Sequence, residues 1–191
     1  VTAEVVYANY GRKEDFEKLQ DMGVDVSGKI VIARYGGNFR GYKAKFAEAA
    51  GASGLIIYTD PMDSGYFKGL GYPEGPYYSE STIQRGSLLT EDFTGDPLTP
   101  YEPALPLDGD IKIKRKNPED TQLHSIPVTP IGYGAAKEIL GQMNGDVVPS
   151  GWQGGLPFTY RLQGGSALKV FLKVEQPREF VRVHNVIGTV K

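Results

Sequence analysis

A strand, turn, helix and strand pattern in residues 28–61 constrains the fold of this chain more than any other feature. Residues 30–33 and 55–58 are runs of four apolar residues bounded by turn signals, which is typical of strands covered on both faces. The segment between them carries an apolar stripe at positions i, i+4, i+7 and i+8, formed by Tyr42, Phe46, Ala49 and Ala50. This spacing predicts a helix, and Gly51 is placed to end it.

Periodicity predicts further elements on either side of this unit. Residues 14–22 are predicted to form a helix with Phe16 and Leu19 facing inward, stopped at Gly23. Another helix is expected after Gly134, with an apolar face of Ala136, Ile139, Leu140 and Met143. Alternating apolar and basic residues predict a half-exposed strand over 111–116.

Two more strands are expected near the end of the chain. The first has an apolar face of Leu168, Val170, Leu172 and Val174, and the second covers residues 180–190. Residues 61–110 contain few periodic segments, and a loop of that length is often functional. Together the elements predict an α+β domain, with a mixed sheet and a few short helices, rather than a doubly wound one.

Composition excludes several classes of function. The 191 residues suit one large domain or two small ones, and 40% apolar with 23% charged residues is ordinary for a soluble globular protein. A net charge of -2 gives no reason to expect nucleic acid or an anionic membrane surface as a partner. No apolar run reaches the length of a membrane span, so none is expected in this chain. The absence of cysteine excludes a thiol nucleophile, a thiolate metal site and a disulfide framework.

The chain also lacks the residue groups that hydrolytic catalysis needs. A co-catalytic zinc site requires a cluster of His, Asp and Glu, but the two histidines, His124 and His184, are far apart in sequence. Ser53 ends a helix and does not lie on a strained nucleophile elbow. The glycine-rich segments 36–41 and 132–134 lack the remaining residues of phosphate-binding motifs. We therefore expect no catalysis and no metal or cofactor chemistry in this chain alone.

Two segments stand out as candidate sites. Phe39, Arg40 and Gly41 lie between a predicted strand and the start of a helix, where an arginine can bind a carboxylate bidentately and the helix N-terminus adds favourable potential. A surface arginine paired with a loop carboxylate is the alternative, and the sequence leaves it open. The second segment, residues 95–100 (GDPLTP), is a dense turn that fixes the direction of backbone carbonyls, which are ligands that calcium accepts.

An ordered set of motifs carries a family resemblance. After residues 28–61 come QRGS (84–87), GDPLTP (95–100), SIPVTPIGYGAAKEIL (125–140), WQGGLPFTY (152–160) and HNVIGT (184–189). The set resembles the protease-associated (PA) domain of the glutamate carboxypeptidase II and transferrin receptor family, a group related to co-catalytic zinc aminopeptidases. The resemblance implies a β/β/α sandwich and a single PA domain over residues 1–191. It also implies that the chain is a fragment of a larger parent protein, whose peptidase and helical dimerisation domains lie outside it.

The resemblance also implies roles for individual residues. Phe39 and Arg40 would line the pocket for a substrate's C-terminal carboxylate, together with Ser87, where the carboxypeptidase relatives have asparagine. The backbone carbonyls of Thr99 and Glu102 would supply half of a structural calcium site shared with carboxylates of the peptidase domain. Tyr101 replaces a glycine of the family in that turn.

The implied function is that of a non-catalytic domain that covers the active-site cleft of a zinc metallopeptidase and contributes to substrate access, recognition and domain packing. The parent would be a homodimeric exopeptidase with two zinc ions and one structural calcium, acting on peptides in an extracytoplasmic location. The alternative is a protein-interaction domain of a transferrin receptor-like homologue with an inactive peptidase domain. Arg40 favours the peptidase, because the arginine belongs to the substrate pocket.

Overall fold

The computed structural model describes residues 1–190 except 122, 178, 180 and 182. Five strands and three of the helices form or flank the main sheet: β1 Thr2–Tyr7, α1 Lys13–Asp21, β2 Ile30–Arg34, α2 Arg40–Ala49, β3 Gly54–Tyr58, β6 Val128–Ile131, α4 Tyr133–Leu140 and β7 Lys169–Phe171. The long connection after β3 contains the short helix α3, Pro61–Ser64, the strands β4, Gly95–Asp96, and β5, Thr99–Pro100, and a 3-10 turn, Pro118–Asp120.

The main sheet is mixed, with the strand order β6-β3-β2-β1-β7. β1, β2, β3 and β6 are parallel, and β7 pairs with β1 in the antiparallel direction. Every residue of β2 and β3 is buried, as expected for parallel strands covered on both faces. A mixed sheet with a few short helices confirms the predicted α+β class.

Helices α1 and α4 place the predicted apolar residues in the core. Phe16 and Leu19 are buried, and the chain turns away at Gly23, whose φ of 71° favours glycine. Helix α4 begins at Tyr133, two residues before the predicted start, and buries Ala136 and Leu140.

The predicted face of α2 is wrong. The helix buries Gly41, Lys43, Ala44 and Ala47, whereas Tyr42 is 44% exposed. Small side chains let the helix backbone approach the sheet closely, and the ammonium of Lys43 is fully hydrogen-bonded below the helix. Tyr42 and Phe46 stack on each other outside this contact, with ring centroids 5.9 Å apart.

Two strand predictions are wrong, and one strand is shorter than expected. Residues 111–116 form no strand, since their apolar positions find no sheet edge, and Ile111 is 68% exposed. In the predicted strand near residue 170, pairing is limited to Lys169–Phe171 because β1 offers only Thr2, Ala3 and Glu4 as partners. Within the predicted strand 180–190, residues 181 and 183–190 are exposed without strand pairing, while 180 and 182 lie outside the described residues.

A buried polar network closes the carboxyl end of the parallel strands. The carboxylate of Asp60, two residues after β3, accepts hydrogen bonds from the hydroxyls of Tyr58 (2.9 Å) and Tyr160 (2.5 Å). It also accepts from the backbone N–H groups of Met62 (2.9 Å) and Gly155 (2.7 Å). Four donors therefore replace the water that this buried carboxylate loses.

Candidate functional site

The loop before α2 determines where Arg40 lies. Gly36 and Gly37 have φ angles of 106° and 75°, a region that favours glycine. A Cβ atom on Gly36 would lie 2.9 Å from the Tyr10 ring, and one on Gly37 would lie 2.6 Å from Nε of Arg12. The two glycines thus let the loop lie directly on the segment after β1, so that α2 begins at Arg40.

The structure brings the three predicted pocket residues together. Nη1 of Arg40 donates to the backbone carbonyl of Ser87 at 3.2 Å. Its guanidinium carbon lies 5.4 Å from the centre of the Phe39 ring. A Cβ on Gly86 would lie 2.4 Å from Cζ of Arg40, so the glycine of QRGS lets the segment cross directly over the guanidinium. Ser87 contributes through its backbone, because its hydroxyl oxygen accepts from the N–H of Leu89 at 3.2 Å.

The charge of Arg40 is not neutralised within the described part of the chain. None of the ion pairs formed there includes Arg40, and its Nε has no hydrogen-bond partner. The alternative of a surface arginine paired with a loop carboxylate is therefore not what these residues form. A guanidinium without an ion-pair partner suits an anionic ligand.

Arg40 faces a groove of about 650 Å³. The groove is also lined by Arg85 and by Lys173, which is paired with Glu175 at 2.9 Å, and none of the described residues that line it is Asp or Glu. Tyr35 lies at the same groove and donates to the carbonyl of Gln84 at 2.8 Å. Burial raises the pKa of Tyr35, and the charge of Arg40 opposes part of this rise. The arrangement favours a carboxylate or another anion.

Sequence reasoning missed Tyr35, Arg85 and Lys173 as groove residues. Tyr35 follows the last residue of β2, and Arg85 precedes the glycine that packs on Arg40, so both lie within quoted motifs. Position within these motifs is the signal that could have found them. No sequence signal marks Lys173, since its place in the groove depends on where the chain runs after β7.

The second predicted site lies at the hairpin of β4 and β5. Gly95 has a φ of 98°, and a Cβ there would lie 2.7 Å from the carbonyl oxygen of Thr99 and 3.2 Å from that of Glu102. The two predicted carbonyl oxygens therefore lie close to one point, a space that a side chain on residue 95 would fill. Burial raises the pKa of Glu91 nearby, and the charge of Asp96 adds to this rise.

This hairpin fits part of a cation site only. The N–H of Glu102 donates to the Thr99 carbonyl at 3.2 Å, and calcium takes six to eight oxygens. Among the described residues, no group of three or more His, Cys, Asp or Glu side chains could hold a metal ion. Donors from elsewhere would have to complete the coordination.

The two histidines occupy different surroundings. His124 lines the Arg40 groove, and burial lowers its pKa while the carboxylate of Glu48 opposes this change. His184 lies in the exposed stretch 183–190. Neither belongs to a metal-binding cluster within the part of the chain that the structure describes.

Comparison with known proteins decides the family. Residues 1–92 match the family model of the PA domain. This segment is a PA domain. Over its full length, the chain is 39% identical to a glutamate carboxypeptidase 2 homolog of Caenorhabditis briggsae, of which it covers 26%. The predicted resemblance to PA domains of this family is confirmed.

Two further relatives carry different functional names. Aminopeptidase NAALADL1 of Mus musculus is 35% identical over 98% of this chain and 26% of its own length. Transferrin receptor protein 2 of Homo sapiens is 32% identical over all of this chain and 22% of its own length. The chain spans about a quarter of the length of these relatives. Proteins named as peptidases and as a receptor thus contain a segment similar to this chain. No helix in the described residues combines the length and the apolar character needed to cross a membrane.

Proposed function

We propose that this chain is the non-catalytic PA domain of a zinc-dependent exopeptidase and that it presents Arg40 to the C-terminal carboxylate of a peptide substrate. The observation that carries the proposal is the guanidinium of Arg40, which has no ion-pair partner among the described residues, in a groove that Arg85 also lines and that has no lining carboxylate. An arginine can hold both oxygens of a carboxylate at once, which gives direction as well as affinity.

The surroundings of Arg40 support a fixed pocket wall. The Ser87 carbonyl and the Phe39 ring hold the guanidinium from two sides, so it needs little further ordering when an anion arrives. Arg40 is also the first residue of α2, where the helix dipole favours negative charge. A domain placed over a cleft in this way would exclude water and restrict the substrates that enter.

The remaining features of the proposal concern the parent protein. The single PA domain would extend over residues 1–191 and pack on its own peptidase and helical domains. Two zinc ions would belong to the peptidase domain, and the carbonyls of Thr99 and Glu102 would complete a calcium site with its carboxylates. Support comes from the share of the relatives that the chain covers and from the incomplete set of oxygens at the hairpin. A homodimeric, extracytoplasmic parent completes the proposal.

The test compares peptides with a free and an amidated C-terminus as substrates of the parent protein. Arg40→Ala should lower kcat/KM for the free acid ten- to a hundred-fold, since losing a charge-assisted hydrogen bond costs about 1.5–3 kcal/mol. The amide should lose much less, because it lacks the partner charge. Lys137→Ala is the control, since it removes an exposed cation that does not line the groove and should change both substrates little. Equal losses on both substrates in Arg40→Ala would contradict the carboxylate assignment.

A receptor-like parent is the second candidate, favoured by the similarity of the whole chain to transferrin receptor protein 2. In that case the PA domain would bind a protein partner, and the peptidase domain would be inactive. Bound zinc and chelator-sensitive peptide hydrolysis in the purified parent would support the peptidase. A parent that binds no zinc and hydrolyses no peptide would support the receptor.

A further inference from the structure

A fully enclosed lysine lies directly below the loop that leads to Arg40. The side chain of Lys43 has no solvent exposure. Its Nζ donates to the carbonyl of Gly36 at 2.7 Å, to Oδ1 of Asn38 at 2.6 Å and to the carbonyl of Tyr10. Three acceptors match the three N–H groups of an ammonium.

These acceptors come from two separate segments. Gly36 and Asn38 belong to the loop between β2 and α2, whereas Tyr10 belongs to the connection between β1 and α1. Asn38 adds a second link, because its Nδ2 donates to the carbonyl of Gly11 at 3.3 Å. Lys43 therefore ties both ends of a short loop to the neighbouring connection. Arg40 lies three residues before Lys43, almost one helical turn earlier in α2.

We propose that Lys43 is the positioning residue for Arg40, fixing the loop Gly36–Phe39 so that the guanidinium stays at the groove under Ser87. The role of Arg40 toward a carboxylate rests on the proposed function, but the fixing of the loop does not. The contacts of Arg40 with the Ser87 carbonyl and with Tyr35 are made by its guanidinium, at the end of a long side chain. Its place is therefore set mainly by where helix α2 begins, and Lys43 holds that start.

Charged side chains around Lys43 act in both directions on its protonation. Arg34 in β2 and Arg12 before α1 disfavour its charge, while Asp15 in α1 and Asp63 in α3 favour it. Burial has the largest effect and lowers the pKa of Lys43 to about 7. The complete set of three donors is thus present in mildly acidic solution.

The test uses NMR of this 191-residue chain at pH 6, where Lys43 is charged. In Lys43→Met, the amides of residues 36–41 should exchange about tenfold faster or more, since each lost hydrogen bond lowers the free energy of local opening. The side-chain Nε–H resonance of Arg40 should shift or broaden. Leu19→Ala is the control, since Leu19 is a buried core residue of α1 and lies outside the loop. If Lys43 had only a general structural role, Lys43→Met would speed amide exchange in the loop and in β2 and β3 to the same extent, as the control does.

A second variant keeps the proposal testable if Lys43→Met does not fold. Asn38→Ala removes one acceptor of Lys43 and the link to Gly11 at a half-buried position. It should speed exchange of the same loop amides and move the Arg40 resonance while β2 and β3 stay protected. An unchanged loop and an unchanged Arg40 resonance, in either folded variant, would overturn the proposal. In the parent, equal losses of kcat/KM on the free-acid and the amidated peptide in Arg40→Ala would refute the proposed function and leave the loop result standing.

Discussion

Asp60 and Arg40 both follow strands of the parallel sheet, but they differ in how completely their charged groups are hydrogen-bonded. Asp60 is fully buried and accepts four hydrogen bonds from within the domain. Arg40 is half-buried, donates to one carbonyl, leaves Nε without a partner and faces a groove. Similar positions in the sheet thus hold one charge that is fully satisfied and one that is not.

The difference separates a stabilising site from a binding site. A buried charge whose hydrogen bonds are complete has nothing left to offer a ligand, and its removal leaves donors unsatisfied. A charge with free N–H groups at a groove contributes little to folding and can gain a partner. The comparison predicts that changes at the two positions will affect different measurements.

The largest effect is expected for Asp60→Ala. Removing the carboxylate leaves two tyrosine hydroxyls and two backbone N–H groups without an acceptor in the core. The free energy of unfolding should fall by at least about 3 kcal/mol. Denaturant titration of this chain measures it, with Asp92→Ala at an exposed carboxylate as the control. A fall below about 1 kcal/mol would remove the contrast with Arg40.

The next largest effect is expected for Lys43→Met, in the dependence of the free energy of unfolding on pH. The lysine has an ordinary pKa of 10.5 and a lowered pKa of about 7 in the fold. Between these values the unfolded chain binds the extra proton, so the free energy of unfolding should rise with pH by up to about 1.4 kcal/mol per unit. Denaturant titrations at pH 7, 8 and 9 should show this rise in the natural chain and lose it in Lys43→Met. A parallel pH dependence in both proteins would place the pKa of Lys43 elsewhere.

Local sequence patterns could predict the central strands and the place of Arg40 at the start of α2, but not the contacts that depend on tertiary packing. The buried runs of β2 and β3 and the Phe-Arg-Gly at the start of α2 identified the sheet and Arg40. Lys43 was invisible because a lysine in a helix is normally solvated, and only three converging acceptors make its burial possible. For the same reason the apolar stripe through Tyr42 suggested the wrong face of α2.

The strand expected over residues 111–116 failed for a related reason. Alternation describes a half-buried strand only where a sheet edge is available. Of the described backbone in this stretch, the N–H of Lys116 donates to the carbonyl of Leu98 at 2.9 Å, outside the main sheet. Local pattern could not reveal whether a partner strand was present.

A smaller effect is expected for Arg40→Ala in this chain. The variant loses one hydrogen bond to the Ser87 carbonyl and the contact with Phe39, but it leaves no buried charge unpaired. The free energy of unfolding should therefore change by no more than about 1 kcal/mol. Denaturant titration beside Asp60→Ala gives a direct comparison. A loss as large as that of Asp60→Ala would show that Arg40 belongs to the folding core.

The smallest effect is expected from calcium. The carbonyls of Thr99 and Glu102 supply two of the six to eight oxygens that calcium takes, so binding should be weak, in the millimolar range at best. Since ligand stabilisation grows only when the concentration exceeds Kd, adding EDTA should leave the melting temperature of this chain unchanged. A large fall in EDTA would mean a complete metal site within these residues.

The central claim is that Arg40 meets a substrate carboxylate, and a structure of the parent protein with a bound, uncleaved peptide tests it most directly. With a free C-terminus on the peptide, the guanidinium of Arg40 should lie about 2.7–2.9 Å from a carboxylate oxygen. The Ser87 carbonyl contact and the loop above Lys43 should be retained. A peptide bound elsewhere, with the Arg40 groove covered by another domain, would contradict the account.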